Sequence, residues 1–140
     1  MALDAGTIMI MPTVVMTVII GVGNIFMMIR DESGSASSTL GHGASALIGV
    51  GILTFISMNW AYFLDLINMS NSILGNEIVV RIAIVLVAAL YVHIHSGVFK
   101  GARGQGMHET WIHSLVLGLL IAGAPYIWMF VGPMLPAWMQ

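Results

Sequence analysis

The sequence predicts an all-α fold class: an integral membrane bundle of four transmembrane helices. Three observations carry that reading. Of 140 residues, 59% are hydrophobic and 7% charged, against about 25% charged in soluble domains. Mean hydropathy is +0.98. Four apolar segments each supply the roughly 20 residues needed to cross a hydrocarbon layer of about 30 Å. They are continuous runs rather than the alternating strands of a membrane barrel. Backbone polar groups in lipid must bond within their own segment, so each run predicts a helix.

The first span runs from about Ile8 to Ile29 and holds no charge. Its flank, Met1 to Gly6, carries Asp4 and no base, and no small-residue cleavage site follows it. The expectation is a permanent helix rather than a cleaved leader. The second span covers about Ala44 to Leu66, with Asp65 at its end; the third covers Glu77 to Phe99, interrupted by Arg81, His93 and His95. The fourth covers about Thr110 to Val131, with His113 near its start and Pro125 in its last third. Pro125 lacks a backbone donor and predicts a kink there. Together the spans make residues 1–140 one four-helix domain.

The connections are short. Residues 30–43 read RDESGSASSTLGHG, residues 67–76 INMSNSILGN, and residues 100–109 KGARGQGMHE. Arg30, Lys100 and Arg103 fall on one side and Arg81 towards the other. Lys and Arg near span ends mark the cytoplasmic face, so loops 30–43 and 100–109 are expected inside and both termini outside, in a multi-pass cell-membrane protein. Trp60, Tyr62, Tyr126, Trp128 and Trp138 then gather at the outer boundary, where amphipathic rings sit.

Composition also excludes functions. Four Lys/Arg and six Asp/Glu give a formal charge of −2, which leaves no basic stripe for nucleic acid. Without cysteine, disulfides, thiolate metal sites and cysteine nucleophiles are absent. Ordinary soluble enzymes and disordered tails do not have this hydropathy.

Ionisable groups inside spans are costly in lipid, so each is a candidate site. Asp65 and Arg81 are expected at the same end of one hairpin, and Glu77 precedes Arg81 by four residues, the favourable acid-before-base spacing. Asp65, Arg81 and Glu77 read as a structural ion pair or triad. All five histidines (His42, His93, His95, His108 and His113) fall in one half of the chain's depth or its loops. His93 lies in a row with Ala89 and Gly97, small neighbours that let another helix approach. Glu109 and His113, four apart, share a face. His93, His113 and Glu109 are therefore the candidate metal ligands, a donor set suited to a hard or borderline divalent ion. The competing reading has His93 hydrogen-bonding across helices while the others occupy the interface. Most of the twelve methionines sit among Ile and Val, where Met is packing material rather than a copper relay. Ser114, Gly118 and Ala122 form a close-packing row on the fourth helix, and Gly21 and Gly23 thin the first.

Two partial resemblances come from the histidines. His93-x-x-x-Gly97 resembles the H-x-x-x-G around the haem ligand of succinate dehydrogenase membrane anchors. The Ser-x-x-His-Arg run and the Asp-Tyr after the Gly are absent. Glu109-x-x-x-His113 is similar to the start of the D-x-x-x-H-x12-H set of copper membrane monooxygenases, but thirteen residues on stands Tyr126. Neither makes the chain a catalytic subunit.

No nucleophile with a base and no complete metal site can be assembled, so the chain is not expected to be catalytic alone. The expected function is a non-catalytic accessory subunit of a larger membrane complex, redox or metal-dependent, of respiratory or membrane monooxygenase type. Its partners would be other integral membrane subunits and the bilayer. The sequence names no cofactor; copper, iron or haem held by or shared with a partner are the candidates. The alternative is a self-assembling small transporter or ion channel, a homo-oligomer lined by Asn24, Thr54, Ser57, Asn59 and His93.

Overall fold

The computed structural model describes residues 7–31, 36–101 and 111–139, with side chains over 7–27, 47–94 and 111–139. The described residues are helical, without strands. Helix α1 spans Ile10–Asp31, α2 Ala36–Met58, α3 Trp60–Leu66, α4 Glu77–Gly101 and α5 Trp111–Val131. Short 3₁₀ turns follow at Ile73–Gly75, Gly132–Met134 and Ala137–Met139. Three helices, α1, α4 and α5, are each long and apolar enough to cross a membrane, and the bent pair α2–α3 makes a fourth if taken as one span.

The second segment departs from expectation. Rather than one straight helix to Leu66, α2 ends at Met58 and α3 leaves at 63°. The cause is Asn59, whose backbone (φ −109°, ψ 17°) leaves helical geometry. Its side-chain Nδ2 donates to the Phe55 carbonyl at 3.0 Å, the same oxygen its own backbone N–H uses at 3.1 Å. An amide that competes for the i−4 carbonyl loosens the helical ladder and favours a bend. At its other end α2 begins at Ala36, within the segment expected to be loop.

The 67–76 connection is built from local caps. Asn68 takes a left-handed backbone (φ 55°), a conformation Asn tolerates better than most residues. The Ser72 hydroxyl accepts from Leu74 N and donates to the Met69 carbonyl. The Asn76 side chain accepts from Ile78 N and Val79 N, capping the start of α4. Trp60 Nε1 donates to the Leu74 carbonyl at 3.0 Å and ties α3 to this loop.

Helices α1 and α2 form one antiparallel hairpin, α4 and α5 another, and α2 and α5 pack together between them. The core is Met16, Ile20, Val50, Ile84, Ala88, Leu117 and Ile121. Close approach depends on small residues. At Gly118 an added Cβ would lie 2.7 Å from the Val85 carbonyl oxygen and 3.5 Å from Ala89 Cβ, so the α4 and α5 backbones nearly touch. At Gly21 a Cβ would collide with Leu47 of α2. A Cβ at Gly23 would meet nothing within 4 Å among the described residues. Pro125 is buried within α5, and the helix runs on to Val131.

Candidate functional site

The bundle buries several polar groups, and they gather at two levels. At one end, Asn59 joins α2 to α1. Its Oδ1 accepts from Met9 N at 2.6 Å and its Nδ2 donates to Thr13 Oγ1 at 3.2 Å, while the Thr13 hydroxyl donates to the Met9 carbonyl. Arg81 of α4 is anchored beside this joint. Its Nη1 donates to the Ser57 carbonyl (3.0 Å) and hydroxyl (3.1 Å), and its Nη2 meets Glu77 at 3.5 Å. The guanidinium lies 5.4 Å from the Tyr126 ring centre, and the Tyr126 hydroxyl donates to Glu77 at 2.6 Å. A cation over an aromatic face is stabilised by the ring quadrupole.

Of the three residues read as an ion-pair triad, Glu77 and Arg81 are therefore in contact. Asp65 is exposed on α3, beyond the bend, and forms no ion pair among the described residues. Ser57, Tyr126 and Asn59 complete the cluster instead. Ser57 and Asn59 could be flagged from sequence as polar groups in an apolar run; Tyr126 had signalled only an interfacial ring.

At the other end, His113 Nε2 meets Asn24 Oδ1 at 2.9 Å, joining α5 to α1. Both are almost fully enclosed, 4% and 2% exposed. With Asn24 Oδ1 as acceptor, the bond requires the proton on Nε2. His93 lies half-buried on α4 and stacks on Trp111, with ring centres 3.8 Å apart and planes at 18°. Trp111 and His113 are two residues apart on α5, about 200° around the helix. His93 and His113 thus address different sides of α5. Glu109, His42, His95 and His108 lie outside the residues whose side chains are described. No group of three His, Cys, Asp or Glu side chains able to hold a metal occurs among the described residues.

Between the two levels, Thr54 Oγ1 and Ser114 Oγ are buried with no hydrogen-bond partner among the described residues. The sequence had nominated Asn24, Thr54, Ser57, Asn59 and His93 as a polar lining. The first four are buried among helices, not arrayed on one open face. Comparison with known proteins returns no match for this chain, whether among protein-family models, curated proteins or solved structures.

Proposed function

We propose that this chain is an integral membrane protein of four spans, counting α2–α3 as one, that serves as a non-catalytic accessory subunit of a larger membrane complex. One observation carries the reading. Polar side chains within the helices bond one another across them: Asn24 with His113, Asn59 with Thr13, Arg81 with Ser57. Such bonds fix helix positions, because in lipid an unsatisfied polar group costs more than a bonded one. Large aliphatic and aromatic side chains face outward: Val14, Val18, Val22 and Phe26 on α1, Ile78, Ile82 and Leu86 on α4, Ile112 and Leu119 on α5. A chain with polar groups turned inward and large aliphatic faces turned out suits a scaffold among other helices. The proposed complex is redox or metal-dependent, and the proposed orientation places loops 30–43 and 100–109 in the cytoplasm and both termini outside.

A transporter or channel is the second reading, favoured by the Thr54 and Ser114 hydroxyls, buried and without a partner among the described residues. Against it, fully buried Val50, Leu117 and Ile121 fill the same interior. The test is purification from native membranes in gentle detergent, with mass spectrometry of the chains and metal and haem analysis. Stoichiometric foreign subunits carrying copper, iron or haem support the accessory reading. A metal-free homo-oligomer that conducts after reconstitution overturns it.

A further inference from the structure

The α2–α3 bend stands level with the ends of the other long helices. Asn59, just past the end of α2, bonds Met9 N, just before the start of α1. Ser57 of α2 bonds Arg81, one turn into α4, and Glu77 at the start of α4 accepts from Tyr126 near the end of α5. The bend is therefore at the rim of the bundle, not inside it. Helix lengths agree: α1 has 22 residues and α5 has 21, and α2 reaches 23 before it bends. Helix α3 extends a segment already as long as its neighbours.

Beyond the bend the chain runs sideways. The seven residues of α3 make about 10 Å of helix, and at 63° they rise only about 5 Å along the α2 direction. Phe63 packs edge-on against Phe55 of α2, ring centres 5.8 Å apart, on the inside of the bend. The chain then returns: Trp60 Nε1 donates to the Leu74 carbonyl, and Asn76 caps α4. Residues 60–76 thus form a flat hook at rim level. On it Leu66, Ile67 and Ile73 are 67%, 56% and 73% exposed. Asp65, Asn68, Ser70 and Asn71 are exposed beside them. Exposed Ile10 and Ile78 bring the apolar outer faces of α1 and α4 up to the same level. Trp60 and Tyr62 are ring types that gather where lipid meets water. Three aliphatic side chains are few against the roughly 20–30 residues a side of a standard protein interface. Aliphatic and polar groups exposed together along a membrane rim suit the boundary between headgroups and acyl chains.

We infer that α3 and the turn after it lie flat in that boundary, with Leu66, Ile67 and Ile73 set into the lipid and the crossing by the second segment complete at Met58. The inference rests on the chain spanning a bilayer, which the test checks separately. The chain contains no cysteine, so one introduced residue takes a nitroxide label without competition. Leu66→Cys and Ile73→Cys probe the hook. Leu86→Cys, also at an exposed position, is the depth reference, about 13 Å of helix past Glu77. Each full-length variant is reconstituted in phosphatidylcholine vesicles, and collisions with oxygen and with a water-soluble nickel chelate report depth. Leu66 and Ile73 should read similar depths, within about 5–10 Å of the headgroups. Nickel collisions there should be several-fold above those at Leu86 and several-fold below those of free label in water. Circular dichroism checks each fold; if one hook variant loses helix, the other decides together with Ile67→Cys. A Leu66 label as deep as Leu86 would mean that the span continues through α3. Nickel collisions at the free-label level would put the hook in water, and labels closed to both reagents would mean that a second copy covers it. Each of these overturns the inference and leaves the membrane reading standing. A Leu86 label open to water overturns the membrane reading and this inference with it.

Discussion

At the Asn59 end, one amide gathers a backbone N–H, a hydroxyl and a carbonyl from two helices. At the His113 end, two side chains 89 residues apart meet, Nε2 to Oδ1 at 2.9 Å. The first arrangement changes the backbone, turning a span by 63°; the second leaves both helices continuous. The difference follows from where the acceptor lies. Asn59 bonds the carbonyl of its own preceding turn and so competes with the helix that carries it. His113 bonds a side chain of another helix, Asn24 of α1. A polar side chain in an apolar span can therefore shape a helix or join two of them.

Breaking the first joint should have the largest effect. Asn59→Leu removes three hydrogen bonds and strands Met9 N, which should cost about 2–3 kcal/mol on membrane-protein scales. Titration of the folded chain with a denaturing detergent, followed by circular dichroism, measures it. The same variant should also straighten the α2–α3 junction, so that spin labels on α1 and α3 move apart. Gly118→Val tests the seam between the two ends. Its new atoms meet the Val85 carbonyl oxygen, and overpacking of this kind costs about 1–3 kcal/mol. A near-neutral result in the same titration would mean that α4 and α5 are not held as close as described.

The His113 end should give less. A double-mutant cycle on Asn24→Leu and His113→Leu should return a coupling of about 0.5–1.5 kcal/mol, the range of interhelical side-chain bonds in membranes. A coupling near zero would remove the contrast between the ends. Smallest of all is Asp65→Asn. Its carboxylate is exposed and outside the Arg81 cluster, so stability should change by less than about 0.5 kcal/mol. A larger loss would place Asp65 in that cluster after all.

Several features were legible without coordinates. The start of α4 at Glu77 and the end of α5 at Val131 coincide with the expected span limits, because the first has an Asn cap and an acid and the second a Gly-Pro stop. The row Ser114, Gly118, Ala122 reads as a close-packing face from residue size alone, and Gly118 does meet the α4 backbone. The bend at Asn59 was not legible. A lone Asn in an apolar run does not reveal that its partners lie 46 and 50 residues away on α1. Nor was the meeting of His113 with Asn24 of α1, which stands 89 residues away in the chain.

Composition and run length, then, determined by themselves that this chain is helical and apolar enough to cross a membrane. Those properties depend on each residue's solvation and on the local backbone bonding that lipid imposes. Only the tertiary structure decided which polar groups meet and which helix bends. A hydrogen bond depends on the position of its partner, and in this bundle the partners come from helices distant in the chain.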